Sequence, residues 1–201
     1  MGVKGLLKTL NITRMDTKSS IDEVTGKKIA LDSMVYLNQF MKSKMEIVDK
    51  CFIGYPVDFD KELALFLDDK LGMFEEMKCK LLFVIDGDRN PLKSACNAAR
   101  QKSAIDAKNM LKELAENNED TDLNTVHRYM KQSVSVCAGV VSSLKVYCEN
   151  KKYELISAPY ECDPMLISLQ SSGIIDYIVT IDQDLIALGG EGVIYDIDYK
   201  Q

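Results

Sequence analysis

Histidine is nearly absent from this chain. His127 stands alone among 201 residues, and the six cysteines (Cys51, Cys79, Cys96, Cys137, Cys148 and Cys162) are scattered with no C-x-x-C pair. A structural zinc site needs four such ligands at short spacing, so zinc fingers and ribbons are excluded, and the thiols read as free groups of an intracellular protein. Long hydrophobic runs are also missing, which leaves no candidate bilayer span, and the N-terminus lacks a hydrophobic signal core. Leu6 occupies the place where a myristoylation signal carries Ser or Thr, so Gly2 is not expected to be acylated. There is no internal repeat, no low-complexity tract and no break in composition. With 46% hydrophobic residues, the 201 residues are expected to bury one sizeable core as a single domain.

Positive charge is in deficit as well: 25 Lys and Arg against 31 Asp and Glu give a net charge of −6. Taken as a sum, that argues against a polyanionic partner. Six of the 31 acids, however, fall into a pattern in which bound cations would invert the local potential.

What the sequence does contain is alternation. Apolar, β-branched runs at Lys28 to Leu31, Leu81 to Ile85, Tyr153 to Ile156, Tyr177 to Ile181 and Val193 to Tyr195 are separated by long helix-like segments. This is the pattern of parallel strands joined by crossovers, and it predicts a three-layer α/β domain with a mostly parallel, twisted sheet and helices on both faces. Four of the runs end in acid: KKIALDS in Asp32, LLFVIDGD in Asp86, SAPYECDP in Glu161 and Asp163, and YIVTIDQDL in Asp182 and Asp184. On neighbouring parallel strands these carboxylates converge where an open sheet binds its ligands, and like charges held that close call for divalent cations. Hard oxygen donors suit Mg²⁺. Two ions on the order of 4 Å apart can activate a water and stabilise the leaving oxygen of a phosphodiester, so no histidine base is required.

Each acid also has a simpler reading. Asp32 and Asp86 could end strands and cap the next turn, Asp163 could be an N-cap with Pro164 at the first helical position, and Asp182 with Asp184 could complement a helix dipole. These roles are compatible with metal binding, and they do not explain four coincidences at four strand ends. Tyr36, Phe40, Phe52 and the ten methionines read as packing groups, and His127 as a structural or surface residue.

Between Asp86 and Glu161 lies the longest insertion in the alternation, roughly 90–135. Lys93, Arg100, Lys102, Lys108 and Lys112 oppose the single acid Asp106, whereas ELAENNEDTD over Glu113 to Asp122 is acidic and polar. The expectation is a basic helix leaving the sheet, an exposed turn over 113–122, and one or two returning helices over Leu123 to Glu149. A solvated helix face is the simpler alternative, but the position beside the acids puts cations where a phosphate backbone would pass.

MGVKGLLKTL, KKIALDSMVYL, LLFVIDGDRNPLKSACNAARQK and SAPYECDPMLISLQSSGIIDYIVTIDQDLIALGG, in this order over nearly the whole chain, resemble the flap endonuclease and XPG superfamily of structure-specific five-prime nucleases. The P-Y-E-x-D form and the ending GGEGVIYDID are similar to the mismatch-repair five-prime exonuclease branch, whereas Leu92-Lys93-Ser94 is closer to flap endonucleases. The resemblance implies a PIN-like nuclease fold and a helical arch formed by the insertion. It implies two ions, Mg²⁺ or Mn²⁺, held by Asp32, Asp86, Glu161, Asp163, Asp182 and Asp184. Lys93 and Arg100 match the basic residues at the foot of the arch that contact the scissile phosphate, and Asp86 and Asp182 are counted with them as catalytic. The implied substrate is DNA with five-prime ends, flaps or gaps, cut in nuclear replication or repair, with no membrane involved. The family continues after DIDYKQ with a seventh acid and a potassium-binding helix-hairpin-helix module. Activity of these 201 residues alone is therefore expected to suffer, and any sliding-clamp or mismatch-repair partner is expected to bind beyond Gln201. Asp88, where a basic residue is common, and Pro164, where small helix formers are usual, depart from the pattern. LLFVIDGD also resembles the D-x-D of haloacid-dehalogenase-type phosphatases, with Asp86 as nucleophile and Asp88 as acid, but that reading leaves Asp32 and the Glu161 pair idle. A non-enzymatic alternative is a catalytically silent scaffold binding protein or RNA, against which the retention of all six acids speaks.

Overall fold

A computed structural model describes residues 23–116 and 122–195. MGVKGLLKTL at the start and the closing DIDYKQ lie outside the described residues. Five strands, β1 (Lys28–Asp32), β2 (Lys80–Ile85), β3 (Glu154–Ser157), β4 (Tyr177–Thr180) and β5 (Val193–Tyr195), form one sheet in the order β3-β2-β1-β4-β5. Every pairing is parallel, with Leu31 opposite both Phe83 and Val179. The runs read from sequence thus become strands within a residue or so of their expected bounds, because strands buried on both faces are continuous apolar stretches.

Side-chain alternation along the strands builds two separate cores. Ile29, Leu31, Leu81, Phe83 and Ile85 point to one face, where they meet α1 (Ser33–Ser43), α2 (Met45–Ile53), α3 (Phe59–Glu76) and α6 (Ala138–Lys151). Ala30, Leu82, Val84 and Ile178 point to the other, against α7 (Cys162–Ser171) and the short α8 (Asp184–Ala187). This is the expected three-layer arrangement. Tyr36 and Phe40 are buried in the first core and Phe52 is half-buried, as packing groups should be. His127 is half-buried within a helix of the insertion, and all six cysteines are free thiols. No helix among the described residues is long and apolar enough to cross a membrane.

The insertion begins with a 3-10 turn over Pro91–Lys93, started by Asn90, whose side chain accepts the Leu92 N–H at 3.0 Å. It continues as α4 (Ser94–Glu116) and returns as α5 (Leu123–Ser133), which opens at Asp122 with a carboxylate cap on Thr125. Gln132 on α5 donates to the Ser103 hydroxyl on α4 at 2.7 Å, tying the two limbs. The expected turn over 113–122 is corrected in its first part. Glu113, Leu114, Ala115 and Glu116 remain helical, since all four are strong helix formers and nothing among them breaks the turn.

Candidate functional site

The strand order reverses at β1: β2 and β3 lie to one side, β4 and β5 to the other. Ligands of open α/β sheets bind beside such a switch point, outside the carboxyl ends of the strands. Here the carboxyl ends carry the acids. A cleft of about 1760 Å³ lies above them, lined by Asp32, Asp86, Glu161, Asp163 and Asp182 from four different strand ends. Lys93 and Arg100 line it from the foot of the insertion. Asp184, the sixth acid, does not line the cleft. It starts α8, and its main-chain N–H donates to the Asp182 carboxylate at 3.1 Å.

Asp32 sits deepest, only 4% exposed, and does two jobs at once. As the N-cap of α1 its Oδ1 accepts the Val35 N–H at 3.3 Å, as the simpler reading expected. The same oxygen accepts the Cys162 thiol at 3.3 Å, and Oδ2 accepts the Thr180 hydroxyl at 3.3 Å. Burial outweighs these donors and, with Asp163 and Asp86 adding repulsion, pushes its carboxyl up from 3.8 to about 6. Asp163 is also raised, chiefly by burial and next by the Asp182 charge, with Asp86 and Glu161 contributing.

Asp86 follows β2 in the open part of the cleft and accepts the main-chain N–H of Cys162 at 2.8 Å. This corrects the reading of Asp163 as an N-cap: α7 starts at Cys162, two residues before the expected Pro164, with Glu161 at the N-cap position, and the orphan N–H of Cys162 is taken by a carboxylate from another strand. The approach that permits this runs through Gly87, whose N–H donates to the Tyr160 carbonyl at 2.6 Å. A Cβ on Gly87 would stand 1.8 Å from the Ala158 carbonyl oxygen. Among the described residues Lys93 is bonded into the acid group, its Nζ lying 2.6 Å from Glu161 Oε2. That hydrogen bond raises the Lys93 ammonium above its ordinary range.

Sequence reasoning missed Cys162, Thr180, Lys42 and Arg89. Thr180 accepts the Asp182 main-chain N–H at 3.0 Å and its hydroxyl donates to Asp32 at 3.3 Å, so it links the two strand ends. Lys42, with Asn38 and Gln39, lines the cleft from α1. Its signal was available, because Met34, Asn38 and Lys42 recur at helical spacing directly after Asp32.

The residues fit divalent cations. The carboxylates offer hard oxygens and repel one another, Lys93 pairs with one of them, and ligand atoms of Asp32, Cys162 and Asp163 all lie within 4.8 Å of one another.

Known proteins resemble this chain in sequence and in fold. The model of the XPG N-terminal domain matches residues 1–107. Exodeoxyribonuclease 1 of Schizosaccharomyces pombe is 28% identical over 201 residues, covering 98% of this chain and 33% of the relative. The chain thus spans about a third of that relative's length. The solved catalytic core of Rad2 in complex with DNA substrate superposes with a TM-score of 0.61 at 14% identity, over 100% of this chain and 52% of that one. The Holliday junction-resolving enzyme GEN1, solved in complex with product DNA and Mg²⁺, gives 0.53 at 14% identity, over 97% and 36%. These likenesses show the fold: an α/β core shared with nucleases of this kind.

Proposed function

This chain belongs to the family of the XPG N-terminal domain, and from that premise we propose that it is the nuclease core of a metal-dependent, structure-specific five-prime nuclease. The substrate is DNA with five-prime ends, flaps or gaps, and the setting is replication or repair in the nucleus. The phosphatase alternative built on Asp86 and Asp88 has no support in that family and is set aside. The observation that carries the reading is the convergence of five carboxylates from four strand ends on one cleft, beside the cationic foot of a helical insertion.

Asp32, Asp86, Glu161, Asp163 and Asp182 would hold Mg²⁺ or Mn²⁺, two ions when fully loaded, and Asp184, which starts α8 outside the cleft lining, would be the sixth ligand. Bound there, the ions supply an activated water and charge stabilisation for the leaving oxygen. The protein's own groups do the rest. Lys93 and Arg100 face the cleft and neutralise charge building on the transferred phosphate, Arg100 with two parallel donors. Lys93 is paired with Glu161 at 2.6 Å, so its ammonium would be free for the phosphate only once that contact is given up. The limbs α4 and α5 form an arch over 90–135, which selects for a strand end able to pass. The whole of 1–201 acts as one nuclease domain.

Incubation of the intact protein with a five-prime-flap duplex and Mg²⁺ or Mn²⁺ should release product, and EDTA should abolish it. Asp182→Ala should lower cleavage ~100-fold or more while DNA binding is kept. DNA binding with no cleavage by the folded, full-length wild type over varied metal would instead mark a silent scaffold.

A further inference from the structure

We propose that Cys162 is a positioning residue of the acid cluster, its S–H orienting Asp32 while its main-chain N–H orients Asp86. The inference rests on the metal-dependent reading above and goes beyond it, since the thiol is not needed as a metal ligand.

The geometry is specific. Cys162 opens α7, yet its two donors reach acids on β1 and after β2: Sγ lies 3.3 Å from Asp32 Oδ1, and the N–H lies 2.8 Å from Asp86 Oδ1. The same Sγ is 3.6 Å from Asp163 Oδ1, but one thiol carries one proton, and the shorter contact takes it. Both Cys162 and Asp32 are almost fully enclosed, at 5% and 4% exposure, so a donor lost from Cys162 is not replaced from solvent. The other donors to Asp32 are fixed by the fold: the Val35 N–H belongs to the main chain of α1, and the Thr180 hydroxyl is itself held by the Asp182 N–H. The thiol is therefore the contact through which α7 sets the angle of the deepest carboxylate. Donors that orient a metal-ligating carboxylate are worth about 10- to 100-fold in metal affinity, and a weak S–H donor belongs at the lower end.

Side-chain substitution leaves the main-chain half intact, so variants isolate the thiol. Cys162→Ala and Cys162→Val remove the donor at smaller and comparable volume, and Cys162→Ser restores one. Mn²⁺ binding to DNA-free protein, followed by the paramagnetic resonance of free Mn²⁺, should weaken about tenfold in the Ala and Val variants and recover in Ser, with thermal midpoints in EDTA confirming folding. In the wild type, the infrared S–H stretching band that disappears in Cys162→Ser should shift when Mg²⁺ is added, because its acceptor changes partners. Mn²⁺ affinity within twofold of wild type in a folded Ala or Val variant, or an S–H band that ignores the metal, overturns the proposal. A folded wild type that binds no divalent cation overturns the metal-dependent reading itself, a result separable from either.

Discussion

Lys93 condenses the site's electrostatics into one side chain. Its ammonium lies 2.6 Å from Glu161 and is raised above its usual range by that contact first, with the Asp163 charge adding to it. Its ammonium is bonded to Glu161 at the edge of the acid cluster, which makes it a competitor for the place a metal would take. Removing it should therefore act with opposite signs on binding and on chemistry. Lys93→Met is expected to bind Mn²⁺ about two- to fivefold more tightly in DNA-free protein, the worth of an exposed ion pair, while cleavage falls ~100-fold because a charge on the transferred phosphate goes unmet. Arg100 also faces the cleft but has no ion pair among the described residues, so Arg100→Met should leave metal affinity nearly unchanged. Mn²⁺ titration of both variants decides the matter. Weaker or unaltered binding in Lys93→Met would contradict the exchange of ammonium for metal.

Among the elements, the joint that matters is between the end of β2 and the segment entering α7. The Ala158 N–H donates to the Ile85 carbonyl at 2.9 Å, and the Gly87 and Asp88 N–H groups donate to Tyr160 and Pro159 at 2.6 and 3.1 Å. Glycine is required because a Cβ at position 87 would meet backbone oxygen at 1.8 Å, a contact no rotamer change relieves. Gly87→Ala should push the two segments apart, destabilise the protein by about 1–3 kcal/mol as overpacking does, and weaken Mn²⁺ binding by moving Asp86 off the start of α7. Gly72→Ala makes the control: it sits inside α3 with nothing within 4 Å of the added methyl, and it should stabilise by roughly 0.5–1 kcal/mol in urea unfolding. This joint also marks how far the sequence could be read. The strands were legible because parallel, twice-buried strands are unbroken Val, Ile and Leu runs, and the acids were legible because each run ends in one. The donors to those acids were not. Cys162 meets Asp32 across 130 residues and Thr180 meets it across 148, and no local pattern encodes such pairings. The same gap hid the start of α7, since the group that satisfies its first N–H comes from another strand. Asp184 counts with Asp182 in sequence, yet the turn into α8 leaves it off the cleft wall.

For the molecule as a whole, the site is a burden that metal should relieve, and pH exposes it. Asp32 has a carboxyl raised from 3.8 to about 6 by burial first, so between those values the folded protein keeps a proton that the unfolded chain has lost. Stability contributed by this group is then full below pH ~4, declines as pH rises through the window, and levels off above pH ~6. A shift of this size corresponds to about 3 kcal/mol as an upper figure, shared in practice with Asp163, whose raised carboxyl is coupled to the same cluster. Asp32→Asn removes the titration while keeping the shape. In EDTA, the stability of wild type minus that of Asp32→Asn, from urea unfolding at a series of pH values, should fall by about 2–3 kcal/mol between pH 4 and 7. Added Mg²⁺ should raise the wild-type thermal midpoint more at pH 7.5 than at pH 5, because only ionised carboxylates bind it, and should do little for Asp32→Asn. A difference curve flat with pH would mean that Asp32 ionises as easily in the fold as outside it, and the buried anion would then be no reason for the cluster to recruit a cation.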